Sequence, residues 1–280
     1  MSLAELVLHR RAGASIDAGA VRGVISSLTL VAATVAGLAA FFYPFLLSRA
    51  PAQSENNAHA ADAPLVFGVL VTLAAALFLV ELSSGAMNAK VASALAVMAT
   101  AAAVLRVPPL PGGASAFYFL IILGGYAFGP RFGFLVGALA LFVSSFATGG
   151  FGPWVPFQMF ASGWLGLTAG WLGRLRPVLS KRPQVEIAAI VAFGALWGLL
   201  FGALMNIWFW PYVATGEATS WRPGMGLTES LQHYWAFYLL TSLGWDVWTA
   251  AGNVALLAVA GRPVLGVLVR FRDRFQVAFD

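Results

Sequence analysis

The stretch LLTSLGWDVWTAAGN, residues 239–253, carries a single carboxylate inside a long apolar run. Asp246 has Ser242 four residues before it, Thr249 three after and Asn253 seven after, a spacing that puts all four on one helix face. An ionised carboxylate among apolar neighbours is costly unless paired or hydrated, so that face turns inward. It meets a substrate or coupling ion there, or a hydrogen-bonding neighbour helix. A second set of chemistry-bearing residues gathers at the ends of apolar runs: Tyr118; Trp154, Phe157 and Gln158; Asn206, Trp208 and Trp210; His233, Tyr234 and Tyr238. Aromatic walls with a few placed hydrogen-bonding groups are the composition of a ligand pocket. An aromatic belt at headgroup depth accounts for the Trp and Tyr residues but not for Gln158 and Asn206 among them.

Other chemistry is absent from the sequence. No G-x-x-x-x-G-K-[ST] stretch cradles nucleotide phosphates, so any ATP-driven work is done by another chain. There is no H-E-x-x-H and no G-x-S-x-G elbow, and His9, His59 and His233 fall on separate segments. With no cysteine there is neither a disulfide nor a thiolate metal site. The chain reads as a non-enzyme without a cofactor or metal of its own.

The elements that must position these residues are membrane helices. The chain is 60% hydrophobic and 10% charged, against about 25% charged in a soluble domain. Eight apolar segments are near the length that crosses a bilayer: residues 24–47, 65–82, 91–107, 116–128, 132–148, 157–173, 187–210 and 233–260. The sequence therefore predicts an all-α polytopic fold. The fourth and fifth segments are joined by Gly129-Pro130-Arg131, too tight for anything but an antiparallel hairpin. In GGFGPWVPFQMF, residues 149–160, Pro153 and Pro156 predict a loop between helices. With the N-terminus inside, the loops holding Lys90, Arg131, Arg174, Arg176, Lys181, Arg182 and Arg262 face the cytoplasm, as do the terminal arginines. Only Arg49, Arg106 and Arg222 lie on the other side, so the basic charge reports topology rather than nucleic-acid binding. Ala50-Pro51-Ala52 also resembles a signal-peptidase site, but the first segment is long enough to span and is read as retained.

The third segment reads VASALAVMATAAAVL. Ala92, Ala96 and Thr100 make one small-residue row and Ala99 with Ala103 another, where a facing helix can approach closely. Ordinary internal packing uses the same pattern.

The order of these features resembles the substrate-binding membrane subunit, the S component, of energy-coupling factor (ECF) vitamin transporters. The resemblance rests on the turn Gly129-Pro130-Arg131-Phe132-Gly133, the Gly- and aromatic-rich loop after it and the Gly-rich helix from Trp164 to Gly173, and it covers about residues 90–272. It implies a six-helix core at 86–272, preceded by two added helices in 1–85 and followed by a cytoplasmic tail at 273–280. It also implies a multi-pass protein of the bacterial cytoplasmic membrane that works with a T component and two cytoplasmic ATPases, which consume the ATP. By the same resemblance Ala92, Ala96, Ala99 and Ala103 stand where the family meets the T component. The pocket maps onto Tyr118, Trp154, Phe157, Gln158, Asn206, Trp208, Trp210, His233, Tyr234, Tyr238 and Asp246, with the loop in 149–160 as its lid. Aromatic density points to a large, partly apolar vitamin-like ligand, a corrinoid such as cobalamin first; a flavin, a thiamin-pathway pyrimidine or a lipid-like precursor fits the same side chains. Two other classes stay open: a stand-alone transporter coupled to protons through Asp246, and a lipid-handling membrane enzyme or assembly factor.

Overall fold

The computed structural model describes residues 3–47, 58–85, 87–108 and 115–274, with side chains from Ala20 onward, Arg22 excepted. Arg49 and the Ala50-Pro51-Ala52 site lie outside the described residues, as does most of the tail. All regular structure among the described residues is helical. The helices are α1 (Leu3–Phe42), α2 (Ala63–Ser83), α3 (Ala89–Arg106), α4 (Phe117–Phe128), α5 (Pro130–Ala147), α6 (Val155–Gly173), the single turn α7 (Arg176–Leu179), α8 (Pro183–Phe209), α9 (Leu227–Thr241) and α10 (Leu243–Arg274). Short 3-10 turns extend α1 at Tyr43–Leu46 and α8 at Trp210–Tyr212.

Six of these segments are long and apolar enough to cross a membrane: Gly23–Leu46, Ala63–Ser83, Ala89–Arg106, Pro130–Ala147, Pro183–Tyr212 and Leu243–Arg274. The other two expected spans, α4 with 12 residues and α6 with 19, are the helices most enclosed by protein. Their side chains meet other helices rather than lipid, which relaxes the need for a long apolar surface.

The centre is the trio α4, α5 and α6. α3 packs on α5 and α4, the pair α8 and α10 closes the other side with α10 against α4, and the α1–α2 hairpin lies on α6 and touches α5 through α2. Close approach is set by glycine. Gly133 and Gly166 face each other with no room for a Cβ on either, each being pressed against the other's backbone carbonyl. A second row, Gly194, Gly198 and Gly202 on α8, receives Leu257, Ala250 and Asp246 of α10. This is small-residue packing, in which association inside a membrane rests on backbone proximity. Gly129 joins α4 to α5 at φ 99°, a value a residue with a Cβ rarely takes.

Several expectations are corrected. Pro156 lies inside the first turn of α6, where its missing N–H would have had no helical partner anyway. The segment 233–260 is not one helix: α9 ends at Thr241 and α10 starts at Leu243. Thr241 bonds back to the Phe237 carbonyl while Ser242 reaches across to Asn206, side-chain bonding that competes with the regular ladder. α10 then runs through Pro263 to Arg274 because Leu265 and Val269 stay buried and Arg272 donates to the Ala127 carbonyl of α4. Asp246 thus sits in the first turn of α10, not near the middle of a span.

Candidate functional site

The C-terminal ends of α1, α3, α5 and α8 lie at one end of the bundle, which carries most of the aromatic and polar residues singled out above. They separate there into distinct groups.

The first group is built on α3, α5 and α6. Arg106, in the last turn of α3, donates from Nη1 to Ser144 Oγ at 2.9 Å and from Nη2 to Gln158 Oε1 at 3.2 Å, and lies over the Phe117 ring at 5.7 Å. Gln158 therefore anchors a half-buried cation. Tyr118 stands beside this group at the start of α4, its ring edge-on to Phe201 of α8 at 5.1 Å, within electrostatic reach of both Arg106 and Asp246.

The second group lies between α8 and the α9–α10 junction. Ser242 Oγ donates to Asn206 Oδ1 at 2.9 Å. One turn further, the Asp246 carboxylate fills the notch left by Gly202; only 8% of the residue is exposed. Asn206 Nδ2, a donor, and Asp246 Oδ2, an acceptor, are both buried without a hydrogen-bond partner. Unspent polar atoms of this kind are rare in native interiors because each forfeits its solvation. Tyr238 borders Asp246, and Tyr234 donates to the Ala203 carbonyl at 2.6 Å. Of the polar stripe expected on α10, Asn253 also faces α8, donating to the Gly194 carbonyl at 2.9 Å, whereas Thr249 bonds to its own helix at Trp245.

The remaining aromatic residues pack against the protein itself. Phe157 and Trp208 are buried against the α1–α2 hairpin, around His59. Trp210 donates to the Thr219 carbonyl at 2.7 Å and packs with Trp221, Phe237 and Phe45, while His233 Nδ1 sits 3.0 Å from the Ser220 carbonyl and secures the same loop between α8 and α9. Trp154 is partly exposed, and its indole donates to the Gly150 carbonyl within its own loop, folding back over Gly152 rather than over a pocket. Gln158 thus belongs to the Arg106 group, Asn206, Tyr234, Tyr238 and Asp246 belong to the group between α8 and the α9–α10 junction, and Tyr118 stands between the two, whereas Trp154, Phe157, Trp208, Trp210 and His233 lie outside both. Arg106 and Ser242 belong to these groups and were absent from the predicted pocket. The sequence signal for Arg106 was present, since it is a lone cation at the end of an apolar segment.

On α3 the two alanine rows part. Ala96 is exposed and Ala92 half-buried, whereas Ala99 and Ala103 are 3% and 2% exposed and pack inside the bundle. The second row is internal packing, since its face looks toward α4 and α5.

The opposite end of the bundle holds the described basic residues of the short loops. Arg131 bonds to Glu81 of α2, and Glu186 of α8 accepts from Tyr126 and pairs with Arg176. Among the described residues no cluster of His, Asp or Glu is arranged to hold a metal ion.

A family model for the substrate-specific component of ECF transporters matches residues 90–261, from the start of α3 well into α10. No curated protein and no solved structure matches the chain. The matched segment contains the glycine-packed trio, the α8–α10 pair and both polar groups, and it covers more than half of the sequence. A multi-pass helical bundle of the plasma membrane with no nucleotide-binding motif, the chain belongs to the family of substrate-specific components of ECF transporters.

Proposed function

We propose that the cleft bounded by Arg106, Tyr118, Gln158, Asn206, Tyr238 and Asp246 is where this subunit captures its substrate from outside the cell. The observation that carries the reading is that two polar atoms about one turn apart on the α8–α10 seam, Asn206 Nδ2 and Asp246 Oδ2, are buried with no hydrogen-bond partner. A donor and an acceptor left open together suit a ligand that brings an acceptor and a donor of its own. Arg106, held by Ser144 and Gln158, supplies a preorganised positive charge at the cleft edge. The substrate is then a vitamin-like micronutrient, delivered with a T component that docks on the Ala92/Ala96 face and with two ATPases that supply the energy. A corrinoid such as cobalamin is the first ligand to test. A smaller, more polar one is supported by the fact that Phe157, Trp208 and Trp210 are already used in the protein's own packing.

The test is native mass spectrometry of the detergent-purified chain with cobalamin, riboflavin and thiamin added in turn. One of them should remain bound, and Asn206→Leu and Asp246→Asn should lose it. Retention of phospholipid alone, with no shift from any of the three, refutes the cleft as a vitamin site. Uptake by cells expressing this chain without T component and ATPases, abolished by Asp246→Asn, would instead support a proton-coupled transporter working alone.

A further inference from the structure

His59 belongs to the turn just before α2, in the N-terminal part that the family match does not reach. Its side chain is fully buried, and its backbone is left-handed at φ 57°, uncommon for a residue with a Cβ. Four rings surround the imidazole: Phe157 at 4.4 Å, Tyr212 at 4.6 Å, Trp208 at 5.7 Å and Tyr43 at 5.8 Å. Nδ1 lies 2.7 Å from Asp62 Oδ2 and Nε2 lies 3.2 Å from the Trp208 carbonyl. With Asp62 ionised both partners accept, and a ring that serves both then donates from both nitrogens. Aromatic faces around a cationic ring are the favourable environment for it. Phe157, Trp208 and Tyr212 come from the family-matched core; His59, Asp62 and Tyr43 come from the added hairpin.

We propose that the core box of Phe157, Trp208 and Tyr212 is a binding site for a flat, cationic nitrogen heterocycle, and that His59 occupies it as a ligand supplied by the chain itself. The α1–α2 hairpin is then a built-in competitor, and an external ring enters only when His59 withdraws. The whole hairpin need not leave, because Glu81 and Arg131 tie its far end to the core. Movement of the turn at 58–62 suffices, and a groove of about 410 Å³ lined in part by Tyr43, Asp62 and Phe160 opens beside it. The inference rests on the contacts of this box and is independent of the cleft at Asn206 and Asp246.

The absence of cysteine makes a single introduced thiol a clean reporter, and Ala58, only 1% exposed beside His59, is the place for it. The full-length Ala58→Cys chain is labelled with a membrane-impermeant maleimide, with imidazole as the probe ligand. His59→Ala should raise the labelling rate roughly tenfold or more, as expected for loss of local protection. Imidazole, and not the uncharged ring cyclopentanol, should bind the His59→Ala chain and raise its melting temperature. At concentrations that saturate that variant, imidazole should accelerate labelling of the Ala58→Cys chain that retains His59. If His59→Ala fails to fold, His59→Phe keeps the ring packing without the donors, and should fold yet label faster than the parent. The proposal is overturned if imidazole does not bind the emptied box, if saturating imidazole leaves labelling of the His59 chain unchanged, or if His59→Phe protects Ala58 as well as histidine does.

Discussion

Replacing Arg131 by methionine should be the most damaging single change at the end of the α1–α2 hairpin where Glu81 lies. Glu81 of α2 is fully buried; its Oε1 is 3.2 Å from Arg131 Nη1, and its Oε2 already has no partner. Arg131 Nη2 also donates to the Gly23 carbonyl at 3.0 Å and to Ser27 Oγ at 2.9 Å, so one guanidinium holds both hairpin helices to the α4–α5 turn. Arg131→Met leaves a buried carboxylate with no counter-charge, a loss of about 3–5 kcal/mol. Glu81→Leu removes the carboxylate instead and leaves Arg131, 16% exposed, with its two α1 acceptors, so the loss should be about 1.5–3 kcal/mol, the scale of a hydrogen bond to a charged group. The gap of about 2 kcal/mol is roughly thirty-fold in the unfolding equilibrium. The double variant should be more stable than Arg131→Met alone, since it no longer buries an orphan charge. Reversible unfolding in mild detergent, followed by tryptophan fluorescence for all four chains, gives the cycle. Should Arg131→Met prove no worse than Glu81→Leu, or the double variant worse than both, the pair is not what fixes the hairpin.

Two further outcomes test the packing and the assembly. Gly198→Leu should lower the melting temperature and weaken ligand retention, because any side chain there meets the Ala250 backbone and overpacking typically costs about 1–3 kcal/mol; Gly68→Leu, with open space around it, should do neither, and equal effects would count against the glycine row as the α8–α10 seam. Ala96→Leu should leave the isolated subunit's stability unchanged while reducing co-purification with a T component, whereas Ala99→Leu should destabilise the subunit itself; the reverse pattern in thermal and pull-down measurements would move the partner face elsewhere.

The all-helical fold and the α4–α5 hairpin were legible because each depends on residues close in sequence. Gly129-Pro130 ends one helix and starts the next through backbone geometry alone. What the α8 glycines face was not legible, since Asp246, which fits against Gly202, lies far along the chain from it. The break at Ser242 was not legible, since its cause is a side chain on α8 that accepts its hydrogen bond.

The sequence by itself determined that this is a polytopic membrane protein with no energy-converting motif, and it placed the candidate binding residues at one end of the bundle. Hydropathy and turn chemistry are local, so the order of residues suffices for them. Only the tertiary structure decided which of those residues touch one another. Phe157 and Trp208 are aromatic residues of the kind that line a pocket, yet here they enclose His59, whose ring meets the Trp208 carbonyl across a separation of 149 residues. Burial removes a side chain from solvent equally well against a ligand or against the chain's own histidine, and composition does not distinguish the two.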